Sequence, residues 1–432
     1  MSAADMAPPT TQPSTSNRLA LALLHPRAEI IPIDGPLLVG RSPDCDVILT
    51  DDTAASRAHA RIAPTPNGIE VIDLHSRNGI YLDGRRIIGR ATIHTGVLRM
   101  GDSIAIVVPM REELPGARDL DTPLVGGAAL DVVRMAARSV GPTEQPIHLV
   151  GETGTGKEIV ARWLHELSQR SGPFVSVNCA ALPPHLVETE LVGRADNSAM
   201  GVPERHGLIA AAARGTLFLD EIGELPLDAQ RTLLSVLEQP YEPGAGFRLI
   251  TATNVELSPA IESGRFDRAL AEKLRAAEIR LPTLREHLED LTELHGYLIR
   301  RSGRAVRLSP DAIEVLARYH WPQNVRELDH VLRSIAANVR GEVALADLPP
   351  RMQIGFRLAP IRAATADQHA EITHARVDEV LREHNGNVRR VSAALGIART
   401  RLYRLMEKWS VDPNQYRRPE DIQPPKDPSA SA

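Results

Sequence analysis

The sequence predicts a multidomain chain: an antiparallel β-sandwich, then an α/β domain with a phosphate loop and a helical lid, then a small all-α helix-turn-helix domain. Three observations predict it. Between residues 18 and 111, short apolar runs alternate with turn signals. Between 123 and 355, strand-like apolar runs alternate with helical periodicity, and one of them leads straight into Gly-x-x-x-x-Gly-Lys. Between 371 and 411, short helical stretches carry a local excess of arginine.

The whole chain bounds this reading. Its 432 residues suffice for about three domains. A hydrophobic content of 43% and a charged content of 24% are those of a soluble globular protein. Net charge is only −5, so any nucleic-acid binding must come from a local basic patch. Two cysteines, Cys45 and Cys179, are too few for a disulfide framework and suit a reducing cytosol. No run approaches the roughly 20 apolar residues of a membrane span, and nothing resembles an export signal. A cytoplasmic protein with no membrane partner is expected.

Residues 1–17 are polar and low in complexity, and disorder is expected there. In the segment 18–111, Leu37 to Val39, Asp46 to Leu49, His59 to Ile62, Ile69 to Ile72, Ile80 to Leu82 and Ser103 to Val107 read as strands. Short strands at this spacing argue for a sandwich. Three pieces fall at strand ends or in turns, where a sandwich displays binding residues: Gly40-Arg41, Ser56-Arg57-Ala58-His59 and Ser76-Arg77-Asn78-Gly79. Their order and spacing resemble a forkhead-associated (FHA) domain, which binds phosphothreonine peptides. By that resemblance Arg41 and Ser56 contact the phosphate with Arg57 nearby, Asn78 holds the peptide backbone, and His59 braces the loops from inside. An arginine fork suits a dianionic phosphate. Ile80 departs from the threonine usual after Asn-Gly.

Residues 112–122 read as a linker. Ile147 to Val150 is a buried strand, and Gly151, Glu152, Thr153, Gly154, Thr155, Gly156, Lys157 and Glu158 follow it. The glycines let backbone N–H groups face a phosphate, and Lys157 supplies a point charge. The helix begun by Ile159, Val160, Trp163 and Leu164 presents its N-terminus to the same anion. Glu158 stands where the general pattern has Ser or Thr for Mg²⁺. Phe174 to Val177, Thr216 to Leu219 and Arg248 to Thr251 are further buried strands of a parallel sheet. The second ends in Asp220-Glu221, where a Mg²⁺ contact and a water-activating base belong, and Asn254 past the third is placed to sense the γ-phosphate.

Gly-Glu-Thr-Gly-Thr-Gly-Lys-Glu, Val-Asn-Cys-Ala-Ala-Leu, Gly-Thr-Leu-Phe-Leu-Asp-Glu-Ile, Ala-Thr-Asn, Leu-Pro-Thr-Leu-Arg-Glu and Trp-Pro-Gln-Asn-Val-Arg-Glu-Leu occur in that order. Together they resemble the AAA+ module of bacterial enhancer-binding proteins, the sigma-54-dependent activators, over an α/β part at 123–286 and a lid at 287–355. The resemblance implies ATP and Mg²⁺ as cofactors, and it makes Gly-Lys-Glu a family mark. It makes Lys157 the Walker A lysine, Asp220 the Mg²⁺ ligand and Glu221 the residue that polarises water. It makes Asn178 a switch acting on Glu221, and Arg326 the sensor arginine of the lid. It also implies homo-oligomers, from dimer to hexamer. In the lid, Ala312, Val315, Leu316, Leu328, Val331 and Leu332 recur at helical spacing.

Two departures bear on mechanism. The family's sigma-contacting loop carries Gly-Ala-Phe-Thr-Gly-Ala, whereas no Phe occurs between Val192 and Thr216 and no Thr between Glu190 and Gly215. Engagement of a sigma-54 factor by the usual loop is therefore not expected. The positions of the two arginines that reach a neighbouring subunit's ATP are Asp267 and Lys273. Such arginines are worth roughly 10³ to 10⁵ in rate, so ATP binding with slow hydrolysis is expected.

After a linker at 356–370, Ile372 to Glu383, Asn387 to Leu395 and Ala398 to Trp409 read as helices, the last two separated by Gly396-Ile397. Seven basic residues against two acids lie between 382 and 408. The segment 371–411 resembles a Fis-type domain for double-stranded DNA. On that resemblance Arg399, Thr400, Arg401 and Arg404 are the contacts to bases and phosphates. Residues 412–432 are Pro-rich, and disorder is expected.

Three functions stay open on the sequence. The first is a DNA-binding regulator using ATP as a switch under phosphopeptide control. The second is a working sigma-54-dependent ATPase, and the third a phosphopeptide-binding adaptor on a scaffold core.

Overall fold

The computed structural model describes residues 18–49, 51–117, 121–183, 185–194, 205–239, 246–354, 356, 358–362, 374–383, 388, 391, 402, 406, 409 and 411–416. The chain forms two compact units, Met1–Ala363 and Ala364–Ala432.

The sandwich uses β1 (Leu19–His25), β2 (Glu29–Pro32), β3 (Leu37–Gly40), β4 (Val47–Ile48), β5 (Ala60–Thr65), β6 (Gly68–Asp73), β7 (Ile80–Leu82), β8 (Arg85–Ile88), β9 (Arg90–Ile93), β10 (Gly96–Met100) and β11 (Ser103–Pro109). One sheet runs β4-β3-β5-β6-β9 and the other β2-β1-β11-β10-β7-β8. All six strands expected from the sequence are present, with ends shifted by a few residues, and five more join them. Strands β5 and β6 alternate buried with more accessible residues, as a sheet with one wet face requires. Strands β1 and β11 do not: Leu19–His25 and Ser103–Pro109 are apolar almost throughout, because both faces of that sheet are buried.

Odd and even residues of these two strands serve different cores. Leu21, Leu23, Ala105 and Val107 point into the sandwich. Ala22, Leu24, Ile104 and Ile106, with Val97 of β10, join the core of the helical lid.

The α/β domain contributes β12 (Ile147–Val150), β13 (Phe174–Asn178), the short pair β14 (Gly193–Arg194) and β15 (Arg205–His206), β16 (Thr216–Asp220), β17 (Arg248–Thr253) and β18 (Glu278–Arg280). Its parallel sheet has the order β13-β16-β17-β12-β18. Helices α1 (Asp131–Val140) and α2 (Lys157–Ser168) cover one face. Helices α3 (Val187–Val192), α4 (Leu208–Ala211), α5 (Leu227–Leu237), α6 (Ser258–Glu262) and α7 (Arg268–Leu274) cover the other. Alternate residues of β16 and β17 decide the side: Phe218 and Ile250 join the first face, Leu217, Leu219 and Leu249 the second. Arg248 is fully buried among them, yet it donates to the Gly141 and Val140 carbonyls, both at 2.6 Å, so the end of α1 is capped from the sheet. Burial pulls this guanidinium down to about 10.

The lid consists of α8 (Leu291–Arg301), α9 (Pro310–Arg318), α10 (Asn324–Asn338) and α11 (Pro350–Gln353), with a small parallel pair β19 (Val306–Leu308) and β20 (Gly341–Val343). The six lid residues with helical spacing are buried, and α8, not singled out in the sequence, adds Leu291, Leu294 and Leu298 to the same core. Polar contacts reinforce the join with the sandwich. Arg99 of β10 pairs with Asp311 and with Glu314, which is 1% exposed, and Thr292 donates to Leu24 O at 3.1 Å. The expected linker at 356–370 is corrected at its start. Residues Leu358–Arg362 form β21, which pairs with β8 and gives that edge strand's backbone a partner. Pro360 sits where the register shifts, which a bulged edge tolerates.

In the second unit, α12 (His374–Glu383) matches the first expected helix. Val377, Val380, Leu381, Val391, Leu402 and Met406 form a buried cluster. The tail reading is corrected at 412–416: Pro413–Tyr416 is a 3₁₀ turn, and Tyr416 packs on this cluster with its hydroxyl on Asp378. Gly396-Ile397 and the DNA-contact candidates Arg399, Thr400, Arg401 and Arg404 lie outside the described residues, as do residues 1–17.

Candidate functional site

Strand β12 delivers the phosphate loop to the carboxyl edge of the sheet, and α2 opens at Lys157. Gly154 and Gly156 have φ of +81° and +102°, the left-handed region that glycine enters without strain. Gly154 also lies so close to the lid that a Cβ there would stand 2.0 Å from Gln323 O. Lys157 is 6% exposed, and its Nζ donates to Gly151 O at 2.7 Å and Glu152 O at 3.2 Å. Burial lowers its pKa, while Glu221 and Asp220 hold it up. Thr155 Oγ1 closes the loop on Glu152 O at 2.9 Å. Glu158 is exposed in the first turn of α2 and pairs with Arg162 at 2.8 Å.

A cavity of about 360 Å³ opens over this loop. Residues 153–158 and the carboxylates Asp220 and Glu221 line it, together with Asn178 and Arg326. Glu221 adopts φ of +54°, and its carboxylate accepts the Asn254 backbone N–H at 3.3 Å. Burial raises the Glu221 carboxyl above the usual range, opposed by Lys157 and helped by Asp220. The Asn254 side chain reaches Thr153 Oγ1 at 3.5 Å. Asn178 lines the cavity, but its Oδ1 accepts the Ala180 N–H at 2.9 Å, and no hydrogen bond joins it to Glu221 among the described residues. Gly151, Glu152 and Asn254 border a second hollow behind the loop.

Sequence reasoning missed the far wall and the clamp. Pro123, Leu124, Val125, Leu130 and Val133 line the apolar end with Leu294, Tyr297 and Leu298 of the lid. That wall is braced by Arg134, 4% exposed, which pairs with Asp131 and donates to Leu124 O, Gly126 O and Gly127 O. The clamp is Asn324, fully buried at φ of +50°. Its amide donates to Glu152 Oε2 at 3.2 Å and Thr153 O at 3.0 Å, while its Oδ1 accepts the Leu284 N–H at 2.9 Å. Arg285 forks onto Glu152 from the same side, and these two contacts hold the Glu152 carboxyl below its usual range. The Asn in Trp-Pro-Gln-Asn-Val-Arg-Glu-Leu was legible as part of the motif, but nothing in the sequence says that it touches the phosphate loop.

Asp267, which the family resemblance aligns with the first finger position, caps α7 by accepting the Leu270 N–H at 3.0 Å. Lys273 lies half-buried in the last turn of that helix, and Arg268 is exposed at its start. Strands β14 and β15 pair as a hairpin stem, and the loop that they flank lies outside the described residues.

At the sandwich, three loops meet. Gly40 passes so close to the next loop that a Cβ would stand 2.3 Å from Arg57 O. The Arg41 N–H donates to Ser56 O at 2.9 Å, and both Arg41 and Arg57 have exposed side chains. Ser56 Oγ accepts the Arg77 N–H at 3.0 Å, and Asn78 Nδ2 donates to Ala54 O at 2.8 Å, so both residues tie loops together. His59 is fully buried: Nδ1 accepts the Ser56 N–H at 3.0 Å and Nε2 faces Gly79 O at 3.2 Å. Its pKa is lowered by burial. Asp52, not foreseen, organises the rest. Its buried carboxylate accepts from Ala54, Ala55, Asp102 and Ser103.

Comparison with known proteins follows the same divisions. A family model for the sigma-54 interaction domain matches residues 126–280, one for the FHA domain 37–107, and one for the AAA+ ATPase lid domain 285–356. The regulatory protein AtoC of Escherichia coli (strain K12) is 33% identical over 309 residues, covering 66% of this chain and 67% of that protein. The DNA-binding transcriptional regulator NtrC of Rhizobium meliloti (strain 1021) is 34% identical over 279 residues, covering 61% of this chain and 57% of that one. This chain thus spans between about half and two thirds of the length of the first curated relatives that it matches. Among solved structures, NtrX from Brucella abortus in complex with ATP is 29% identical with a TM-score of 0.50, covering 68% of this chain and 71% of that chain.

Proposed function

The chain belongs to the family of sigma-54-dependent transcriptional regulators and carries an FHA domain, and from that premise we propose that it is a DNA-binding regulator using ATP as a switch under phosphothreonine-peptide control. One observation carries the nucleotide part: a single cavity gathers the glycine loop, Lys157, the Asp220–Glu221 pair, the lid's Arg326 and an apolar far wall. Those are the needs of triphosphate, reacting water and base in that order. The similar NtrX structure holds ATP.

The residues also fit Mg²⁺. Asp220 gives one carboxylate oxygen to the Glu221 N–H and lies in the cavity wall, and no group of three or more metal-ligating side chains occurs among the described residues. That suits an ion held by one carboxylate and the nucleotide's own phosphates, where it neutralises their charge. Lys157, now bonded to loop carbonyls, would turn to the outer phosphates, and Glu221 would hold the attacking water.

Switch rather than motor rests on Asp267. A carboxylate committed to a helix cap supplies no cation to a neighbour's γ-phosphate. At the sandwich, Arg41, Ser56 and Arg57 would take the phosphate, with Asn78 at the peptide backbone. The basic C-terminal segment, with Arg399, Thr400, Arg401 and Arg404, would take DNA. Assembly into homo-oligomers and location in the cytoplasm belong to the same proposal.

One observation favours the alternative, a working sigma-54-dependent ATPase: the β14–β15 stem that flanks the loop is formed. Two measurements decide. Nucleotide binding by the full chain, abolished by Lys157→Ala, is expected together with ATP turnover far below that of active family members. Open-complex formation with purified sigma-54 holoenzyme and ATP would overturn the switch in favour of the motor. For the peptide arm, calorimetric titration of a phosphothreonine peptide is expected to show binding that Arg41→Ala weakens about tenfold.

A further inference from the structure

We propose that Arg111, at the exit of the sandwich, is a positioning residue for the nucleotide site. The inference rests on the reading of the cavity over Lys157 as that site. Arg111 stands two residues past the end of β11, in what the sequence presents as the border between domain and linker. Its guanidinium donates to Glu289 Oε1 at 2.8 Å and to Glu286 O at 2.7 Å. Both acceptors belong to one strap, residues 283–290, which joins the α/β domain to the lid.

Several of the strap's other polar contacts lead to the phosphate loop and the cavity wall. Arg285 forks onto Glu152 of the phosphate loop. The Leu284 N–H is held by Asn324, whose amide grips Glu152 and Thr153. Asp290 accepts the Gly127 N–H at 2.7 Å, from the wall at the apolar end, and its other oxygen meets His287 Nδ1 at 3.0 Å. His287 itself lines the cavity. A Thr283–Glu286 capping box stiffens the strap's start, so a displacement at Glu286 is passed on rather than absorbed. One short rigid segment therefore touches the sandwich on one side and both ends of the nucleotide cavity on the other.

Glu289 makes the Arg111 contact sensitive. Its side chain is 7% exposed, its Oε2 is buried without a hydrogen-bond partner, and burial raises its pKa. Arg111 is the cation that compensates it. With Arg111 gone, a buried carboxylate is left uncompensated, and the strap relieves this by moving Glu289 toward water. That motion carries Asp290 and Glu286 with it. By linkage, nucleotide in the cavity must in turn tighten the Arg111 contact, so the sandwich and the ATP site share one element.

The test is equilibrium binding of a fluorescent ADP analogue to the full chain. Arg111→Ala is expected to weaken binding about tenfold, within the usual range of coupling between sites. Arg111→Lys, which keeps charge but cannot fork onto both acceptors, should lose about threefold. Adding Glu289→Gln to Arg111→Ala should restore most of the loss, because the uncompensated charge is removed. Rescue by Glu289→Gln is the readout that general damage to the fold would not give. Wild-type binding that Lys157→Ala abolishes and Arg111→Ala leaves within twofold overturns this inference alone, and so does a loss that Glu289→Gln does not relieve. No binding by the wild-type chain overturns the nucleotide reading and this inference together. If Arg111→Ala fails to fold, Arg111→Lys decides: unchanged affinity overturns the inference, and a threefold loss supports it.

Discussion

Asp267 accepts the backbone N–H of Leu270 at 3.0 Å and so starts the helix Arg268–Leu274, at the position where enhancer-binding relatives are expected to carry an arginine for the neighbouring subunit. The Asp267 N–H is in turn held by Gln230 Oε1 at 2.7 Å, and Gln230 is fully buried. The residue has been built into the domain's own fold. Its replacement by Ala should cost about 1 kcal/mol, the usual worth of an N-cap, while Asp267→Asn should cost almost nothing. Urea unfolding of the two variants checks this, and equal losses would count against the cap.

Asn324, at a fully buried, left-handed position, joins lid to phosphate loop through two hydrogen bonds and to the strap at Leu284 through a third. Asn324→Ala removes all three, strands the Leu284 N–H and strains the backbone. A loss of about 2–4 kcal/mol in stability is expected. Nucleotide affinity should fall as well, because Glu152 then depends on Arg285 alone. Thermal unfolding with and without ADP separates the two effects.

His148 lies in the interior strand β12 at 2% exposure, bonded to Thr251 Oγ1 at 2.8 Å, and burial lowers its pKa to about 4. The folded protein thus keeps it neutral where the unfolded chain, titrating near 6.5, takes up a proton. The stability it preserves is complete above pH 6.5 and is lost as pH falls toward 4, by up to about 3 kcal/mol. His25, His59, His165 and His295 are lowered too and add to the same trend. Urea midpoints should be lower at pH 5 than at pH 7.5, and His148→Asn should flatten the difference.

Ile106 is 3% exposed and belongs to the lid's core although it sits on a sandwich strand. Ile106→Ala should cost about 2–4 kcal/mol. A sandwich merely tethered to the lid would leave Ile106 on a wet face, where the change is nearly neutral. A calorimetric unfolding trace of the variant distinguishes the two.

The phosphate loop, the Asp220–Glu221 pair and the succession of sandwich, α/β part and lid were legible because each depends on local pattern: glycines before a helix, acids at a strand end, alternation of two periods. The clamp at Asn324 was not. It acts across about 170 residues of chain, and a lone asparagine carries no sign of its partner. The unbroken apolar runs of Leu19–His25 and Ser103–Pro109 did carry a hint, since a strand with one wet face alternates. What covered the second face was not written there.

The sequence by itself therefore determined the sandwich, the α/β fold with its lid and the nature of the phosphate loop, all properties of residues close in the chain. Only the tertiary structure decided that Asp267 is a helix cap, that sandwich and lid share one hydrophobic core, and that the strap carrying Glu289 and Asp290 joins Arg111 to the wall of the cavity over Lys157. The reason is physical. Burial and hydrogen-bond partnership are set by which distant surfaces exclude water from each other, and no local spacing encodes that choice.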